Sequence, residues 1–258
     1  MDFISEVKKK KEFSGLPDSV VARALKESGD EVKEARSLLR KYFGVFLTNR
    51  VLKFGSRKSE VGSRDILSCH ISSKKRRYEE FYDSIFSMQN HDTFGAAFRM
   101  EGKNKISIVD LGCGVNGFSY EFLPKGTRYV GVEAAGQLVD QMNSFFKENK
   151  FDGEAICGDL FDLDLIRGIL EKEKPDVVFL FQVVDALESV EKNFSLKLIG
   201  EIMKSVEVLV ISVPLVSLGG GKKFAVKRKW LMDFLESDFV VKKDFEMFGE
   251  RVLIVGKK

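Results

Sequence analysis

Short apolar runs alternate with helical segments from residue 104 to the C-terminus. Five runs have the length and near-continuous hydrophobicity of buried strands: ISIVDL, RYVGVEA, EAICGDL, PDVVFLFQ and VEVLVISVP. Segments with helical spacing, such as GQLVDQMNSFFKENK, separate them. This alternation predicts a parallel sheet covered by helices on both faces. The C-terminal segment FVVKKDFEMFGERVLIVGKK instead predicts a hairpin that turns at FGE, and so an antiparallel strand in the sheet.

The first ninety residues have the pattern of helices rather than strands. VVARALKE and EVKEARSLLRKYFGVFL place apolar residues at helical spacing, and the segment from Ser73 to Met88 does the same. The turn SGLPD precedes the first of these, with Ser14 or Asp18 as its candidate N-cap. We predict a small all-helical domain over residues 1–90 and an α/β domain over residues 91–258.

Positive charge is concentrated in the helical part of the chain. Residues 1–77 contain 19 Lys or Arg and 10 Asp or Glu, a net charge of +9, which leaves −6 for the remainder of a chain whose total is +3. Such a segment can neutralise phosphates, which predicts RNA binding, and the alternative is a solvated helical face. The candidate RNA contacts in this segment are Lys8, Lys9, Lys10, Lys11, Lys74, Lys75 and Arg77.

Several classes of protein are disfavoured by composition. Hydrophobic residues make up 44% of the chain and charged residues 31%, as in soluble globular proteins, and neither a membrane-spanning run nor a signal peptide is present, so a cytoplasmic protein is expected. Cys69, Cys113 and Cys157 lack C-x-x-C spacing, which favours reduced thiols over a disulfide or a zinc site. With His70 and His91 the only histidines, histidine-based metal or triad chemistry is disfavoured.

A glycine-rich turn, DLGCGVNG, follows the first predicted strand. Gly112, Gly114 and Gly117 stand in G-x-G-x-x-G register between that strand and a predicted helix, which brings a nucleotide cofactor close to the backbone. Glu133 ends the next predicted strand, where its carboxylate can accept hydrogen bonds from ribose hydroxyls. Together these residues predict binding of an adenosine-containing cofactor.

Two aspartates indicate which cofactor this is. Asp110, directly before the turn, would repel the pyrophosphate of NAD but attract the ammonium group of a methionine moiety, which favours S-adenosylmethionine. Asp159, after the third predicted strand, is placed to accept a bond from the adenine amine. The alternative for each acid is a helix cap. The methionine carboxylate would then need a cation, and an arginine from the helical domain would suit it bidentately.

Four motifs give the chain a family resemblance. HISSKKRR, DLGCGVNG, FQVVDALE and ISVPLVSLGG resemble, in order and spacing, the FmrO-type aminoglycoside-resistance methyltransferases, which act on guanine N7 of small-subunit ribosomal RNA. His70, Ser72, Ser73 and Arg76 match the start of the family pattern. The resemblance implies a class I S-adenosylmethionine-dependent methyltransferase, Rossmann-like, with a mostly parallel seven-stranded sheet, a C-terminal antiparallel hairpin and a helical N-terminal domain. It also implies a cofactor-binding set of Arg76, Asp110, Gly112, Gly114, Glu133, Asp159 and Gln182.

The chain departs from the family mainly on the side of the RNA target. The family tends to have Asn-Pro where Asn116 and Gly117 stand, and a lysine near Gln182. Its SFPTKSLGGR-like motif reads SVPLVSLGGG here, so two family cations are missing. Lys222 and Lys223 are candidates to replace one of them in RNA binding.

Methyl transfer to guanine N7 needs no general base, because N7 carries an exposed lone pair, and we therefore predict no catalytic acid or base. Trp230, Phe181 and Tyr78 are candidates to stack on a base turned out of the RNA, with packing in the core as the alternative.

The expected partner is the small ribosomal subunit with its 16S rRNA. We expect no association with a membrane, and we expect the enzyme to be a monomer. Methylation of another rRNA site, of a small molecule or of a protein, and noncatalytic RNA binding, remain alternatives. An NAD-dependent dehydrogenase is disfavoured because no Tyr-x-x-x-Lys is apparent.

Overall fold

A seven-stranded sheet forms the centre of the α/β part of the chain. The computed structural model describes residues 2–43, 66–68, 74–86, 105–215 and 228–258. The strand order is β3-β2-β1-β4-β5-β7-β6. The strands are β1 Ser107–Leu111, β2 Arg128–Glu133, β3 Gly153–Cys157, β4 Val177–Phe181, β5 Val208–Pro214, β6 Val240–Met247 and β7 Glu250–Gly256.

Nine α-helices of six or more residues lie within the described ranges. They are α1 Phe3–Lys8, α2 Asp18–Glu27, α3 Val32–Phe43, α4 Tyr78–Phe86, α5 Gly136–Asn149, α6 Leu163–Glu173, α7 Val184–Val190, α8 Phe194–Ser205 and α9 Lys229–Asp238. The segment after the glycine turn, predicted to be a helix, is a 3₁₀-helix from Asn116 to Phe122.

The described residues belong to two compact units that do not follow chain order. The first unit takes residues 1–74, 112–120 and 131–162, and the second takes residues 75–111, 121–130 and 163–258. The first unit therefore combines the N-terminal helices with the glycine turn and with the segment that contains α5 and β3. The predicted domain boundary at residue 90 lies outside the described residues and stays a prediction.

Helices α2 and α3 each bury an apolar stripe. Val21 and Leu25 on α2, and Leu39 on α3, are almost completely buried, as helical spacing in VVARALKE and EVKEARSLL predicts. The predicted cap of α2 is wrong, because Pro17 precedes the helix without a side-chain cap bond and Asp18 is already its first residue. Proline is suited to this point, since its fixed φ is compatible with a helix start.

The sheet combines parallel and antiparallel pairing as predicted. β4 pairs in parallel with β1 and with β5, and all five residues of β4 are buried, which explains the unbroken apolar run VVFLF. β7 pairs antiparallel with both β5 and β6. Phe248 and Gly249, both with positive φ, form the two-residue turn between β6 and β7, which agrees with the expected turn at FGE.

Within the first unit, the loop before α2 contacts the start of α5 through two glycines. The N–H of Gly136 donates to the carbonyl oxygen of Gly15 at 3.0 Å. A Cβ added to Gly136 would lie 2.5 Å from that oxygen, which is closer than real Cβ contacts allow. Beside them, the Gln137 amide donates to the Lys11 carbonyl oxygen and to the Ser14 hydroxyl. The absence of side chains at Gly15 and Gly136 therefore permits this backbone contact.

We predict that Gly136→Ala lowers the free energy of unfolding by about 1–3 kcal/mol, because the new methyl group overlaps the Gly15 carbonyl group. Chemical denaturation measures the change. Gly168→Ala and Gly200→Ala are matched controls, since nothing lies within 4 Å of a Cβ at these helical positions. They should raise the free energy of unfolding by about 0.4–1 kcal/mol. Equal effects at all three positions would contradict the close contact.

Candidate functional site

The glycine turn follows β1 and belongs to the first unit. Gly112 and Gly114 have φ angles of 71° and 52°, in the left-handed region that glycine adopts without strain. The N–H of Gly112 donates to the Val132 carbonyl oxygen at 2.8 Å, which fixes the turn to the end of β2. Gly117 is buried in the 3₁₀-helix that follows. The turn therefore presents backbone close to the end of β2, as a nucleotide-binding turn does.

Glu133 is the last residue of β2, and its carboxylate is held by backbone donors. One oxygen accepts the Gly114 N–H at 3.0 Å and the other accepts the Ala135 N–H at 2.9 Å. Burial raises the pKa of the Glu133 carboxyl above its ordinary value, although these N–H groups oppose the shift. Since backbone groups provide these bonds, a ribose hydroxyl can add a hydrogen bond without displacing a side chain.

Asp159 lies after β3, where the sequence places it, and its carboxylate is buried. Oδ2 accepts bonds from the Ser19 hydroxyl at 2.9 Å and from Arg23 Nη2 at 2.8 Å. Oδ1 accepts bonds from the Phe161 N–H at 3.0 Å and from Arg23 Nη1 at 3.3 Å. Three of the four donated hydrogens thus come from side chains of α2.

Arg23 is a residue that sequence reasoning missed. Its guanidinium carbon lies 3.9 Å from the centroid of the Phe161 ring, in addition to its bonds with Asp159. The motif VVARALKE shows only an arginine on the polar side of a helix, 136 residues before Asp159. No local signal in the sequence could have paired these two residues, because only the tertiary fold brings them together.

In the second unit, Asp110 is completely buried within β1. Its carboxylate accepts a hydrogen bond from the Tyr129 hydroxyl at 2.9 Å, and Tyr129 is buried on β2. Asp110 lies three positions before Cys113 in the sequence, so it stands close to the glycine turn along the chain. The position at the carboxyl end of a parallel strand is where ligands bind in open α/β sheets.

Arg76, the predicted partner of a cofactor carboxylate, is paired with Glu250. Its Nε and Nη2 donate to the two carboxylate oxygens of Glu250 at 2.7 and 2.6 Å, and both side chains are at most 5% exposed. The Ser212 hydroxyl donates to the same carboxylate at 2.7 Å. The rings of Phe81 and Phe181 lie 4.6 and 5.0 Å from the guanidinium carbon. Sequence reasoning missed Glu250, which lies 174 residues from Arg76.

The buried pair stabilises both charges. Burial alone would raise the pKa of Glu250, but the charge and hydrogen bonds of Arg76 and the hydroxyl of Ser212 hold it below its ordinary value. Burial would also lower the pKa of Arg76, and the charge of Glu250 raises it instead. The Gln182 amide contributes a further bond that lowers the pKa of Glu250. Gln182 follows β4 with a φ of 58°, and its N–H donates to the Ser212 carbonyl oxygen.

The predicted RNA contacts are mostly exposed, and several pair with acids. Lys8 pairs with Asp18 at 2.6 Å and Lys9 with Glu6 at 2.5 Å. Arg77 pairs with Glu80 at 2.7 Å. The remaining described candidates are exposed: Lys10, Lys11, Lys74 and Lys75. Lys222, Lys223, His70, Ser72 and Ser73 lie outside the described residues.

Two of the three aromatic candidates for base stacking pack inside the second unit. Phe181 stacks on Phe179 with ring centroids 4.5 Å apart, and Tyr78 stacks on Phe122 at 6.0 Å. Both are buried, which favours the core alternative for them. Trp230, on α9, is partly exposed.

Within the described ranges, no cluster of three His, Cys, Asp or Glu side chains is arranged to hold a metal ion. No helix in the described part of the chain combines the length and hydrophobicity needed to cross a bilayer.

The sheet order, the C-terminal hairpin and the flanking helices define the fold of class I S-adenosylmethionine-dependent methyltransferases. No family model matches the chain, and no curated protein matches it in sequence. The predicted fold class is confirmed by solved structures of similar proteins.

Three of these solved structures are similar over nearly the whole chain. The 16S rRNA methylase RmtB has a TM-score of 0.72 at 19% identity, with 100% of this chain and 98% of that chain covered. An rRNA methylase from Escherichia coli has a TM-score of 0.74 at 20% identity, covering 100% and 99%. The 16S rRNA methyltransferase RmtF, solved with S-adenosyl-L-homocysteine, has a TM-score of 0.75 at 18% identity, covering 99% and 97%. At these identities the likeness establishes the fold.

We predict that Glu250→Gln lowers the free energy of unfolding by about 3–5 kcal/mol, because it leaves the buried Arg76 charge without its partner. The double variant Arg76→Met with Glu250→Leu should lose less than Glu250→Gln, since it removes both charges together. Glu207→Gln is the matched control: its partner Lys257 is on the surface, and its loss should change stability little.

The effect of Glu250→Gln should also depend on pH. The folded-state pKa of Glu250 is lowered, so its contribution to stability is present above its unfolded pKa and is lost as pH falls through the folded value. The difference between wild type and Glu250→Gln is therefore expected to be largest near neutral pH and to shrink in acid. Denaturation curves across the pH range measure it, and a difference that grows in acid contradicts the assignment.

Proposed function

We propose that the chain is an S-adenosylmethionine-dependent methyltransferase that modifies 16S rRNA in the small ribosomal subunit, at guanine N7. The observation that carries the proposal is the likeness to RmtB, RmtF and the Escherichia coli enzyme over 97% or more of each of those chains. A likeness limited to the sheet would fit a methyltransferase for any substrate. Its extension over the helical N-terminus, together with the quoted motifs, favours the rRNA substrate over a small molecule or a protein.

The residues at the strand ends fit the proposed cofactor. Glu133 offers a buried carboxylate to the ribose hydroxyls, beside the glycine turn in which Gly112 and Gly114 have positive φ. Asp110 offers a buried carboxylate for the methionine ammonium. Asp159 is proposed to accept the adenine amine. S-adenosylmethionine, when bound, supplies an electrophilic methyl group.

Arg76 and Gln182 are proposed on the methionine side of the cofactor. Glu250 fixes the plane of the Arg76 guanidinium through two short bonds, so any contact with the methionine carboxylate must fit that orientation. Because Glu250 and Gln182 interact as well, the proposed cofactor contacts are linked to the buried ion pair. An Arg76 variant would therefore change stability as well as cofactor affinity, and both must be measured.

The chemistry proposed for the chain is orientation of the target base. Guanine N7 has a lone pair in the plane of the ring and loses no proton when it is methylated, so no side chain has to act as a base. The rate enhancement then depends on holding the base in line with the methyl group and on excluding water. The alternative methylation of an exocyclic amine would require a residue that removes a proton.

The organisation proposed for the chain assigns RNA affinity to its N-terminal part. Residues 1–90 form the helical RNA-binding domain and residues 91–258 the methyltransferase domain. The proposed phosphate contacts are Lys8, Lys9, Lys10, Lys11, Lys74, Lys75 and Arg77, with Lys222 and Lys223 in the second domain. We further propose a monomer that acts in the cytoplasm, where small subunits are found.

We predict that the purified chain transfers labelled methyl groups from S-adenosylmethionine to guanine in 16S rRNA. The assay compares assembled small subunits with naked 16S rRNA. Nucleoside mass spectrometry identifies the product as N7-methylguanosine, and strand scission at the modified base locates it. Label in adenine or in a small-molecule fraction would assign a different substrate, and no label in any RNA would favour the noncatalytic alternative.

We predict that replacing Lys8, Lys9, Lys10 and Lys11 by glutamine weakens binding to small subunits and makes it less dependent on salt. Each phosphate contact that is lost should reduce the slope of log K against log salt concentration by about 0.9 for a duplex-like target. Filter binding at several salt concentrations measures the slope. Cofactor affinity, measured by calorimetry, should stay close to that of wild type.

A charge-matched control replaces four exposed lysines of the second unit by glutamine: Lys172, Lys192, Lys197 and Lys204. It removes the same charge from a region that the proposal does not assign to RNA. If both quadruple variants reduce the slope equally, the N-terminal lysines act only through net charge. If neither variant reduces the slope, the N-terminal lysines form a solvated helical face and do not contact RNA.

A further inference from the structure

The Asp159 carboxylate has its hydrogen-bonding capacity filled by other residues. A carboxylate offers about four lone-pair sites, and four hydrogen bonds reach it: one from Ser19, two from Arg23 and one from the Phe161 N–H. The adenine amine proposed to bind Asp159 would be a fifth donor. It can therefore bond to this carboxylate only if a present donor leaves.

Glu133 provides a contrast within the same unit. Its carboxylate is held by N–H groups of the backbone, which cannot leave without moving the loops themselves. The donors to Asp159 from α2 are side chains, and Arg23 is 30% exposed. A side chain with access to solvent can rotate away at the cost of its ion pair, so Asp159 is the acid at which exchange is feasible.

Arg23 makes two interactions that an adenine would also make. Its planar guanidinium donates two N–H bonds to Asp159, as the adenine amine is proposed to do, and it lies over the Phe161 ring at 3.9 Å. Guanidinium planes and nucleobases both stack on aromatic rings. Arg23 thus combines a donor edge facing an acid with a flat face on an aromatic ring.

We propose that Arg23 occupies the adenine-side position and competes with the cofactor for Asp159. Arg23 is then an affinity-determining residue of the cofactor site, supplied by the N-terminal helices. The inference rests on the proposed function, because it takes Asp159 to be the acid that receives the adenine amine. Cofactor binding displaces the Arg23 guanidinium from the carboxylate. The loss of that ion pair makes the free energy of cofactor binding less favourable.

The test is calorimetry of S-adenosylhomocysteine with wild type, Arg23→Gln and Arg40→Gln. Glutamine cannot form the bidentate ion pair with Asp159. Arg23→Gln should therefore bind the ligand about threefold to tenfold more tightly, as expected for loss of a partly exposed ion pair. Arg40 is the matched control, since it lies in the same helical segment but pairs with Glu12. Arg40→Gln should bind the ligand as wild type does.

A second ligand tests whether the gain comes from the carboxylate. S-inosylhomocysteine has an oxygen in place of the adenine amine and cannot donate to Asp159 from that position. Arg23→Gln should therefore gain less affinity for the inosyl ligand than for the adenosyl ligand. An equal gain for both ligands, or an unchanged or weaker affinity of the folded Arg23→Gln variant for S-adenosylhomocysteine, overturns the proposal.

Thermal unfolding establishes that the variants are folded. If Arg23→Gln does not fold, Arg23→Lys serves in its place, because lysine keeps the charge but loses the paired geometry. An affinity of Arg23→Lys equal to or below that of wild type then overturns the proposal. Failure of the proposed function has a different result: wild type itself would bind neither S-adenosylmethionine nor S-adenosylhomocysteine and would methylate no RNA.

Discussion

The cost of burying carboxylates determines much of the local structure at the strand ends. Asp110, Glu133 and Asp159 are each at most 5% exposed, and a buried carboxylate is tolerated only when donors surround it. Each obtains its donors from a different source. Asp110 uses the Tyr129 hydroxyl, Glu133 uses backbone N–H groups, and Asp159 uses mainly side chains of α2. The glycine turn donates to Glu133, and Ser19 and Arg23 donate to Asp159, so these groups meet part of this requirement.

The fold could be predicted from the sequence because its signals are local. Buried strands such as VVFLF are continuous apolar runs, and the FGE turn between β6 and β7 needs only Gly249 and its neighbours in the chain. The positions of the glycine turn and of Glu133 at strand ends were predictable for the same reason, whereas their roles stay predictions. The N-cap of α2 was predicted wrongly, because Ser14 and Asp18 have capping side chains but Pro17 takes the position.

The partners of the candidate residues could not be predicted, because pairing at long range leaves no local pattern. Glu250 begins β7, where an acid before RVLIVG resembles an exposed strand end, yet it is buried against Arg76. Likewise Arg23 follows Val20 and Val21 as an ordinary polar helix residue. In both cases a charge that is expected in solvent is instead paired with an opposite charge more than a hundred residues away. One member of each pair, Arg76 and Asp159, was readable from the sequence, and the identity of its partner required the fold.

The backbone contact between Gly15 and Gly136 limits how the N-terminal helices can be exchanged. In a chimaera that joined this α/β part to the helical segment of another protein with the same fold, the incoming loop would have to present a carbonyl oxygen at the start of α5 with no side chain in between. The incoming helix would also replace Ser19 and Arg23, the two side chains that donate to Asp159. The helical segment is therefore not an interchangeable module, and it could be exchanged only together with the residues around Gly136 at the start of α5.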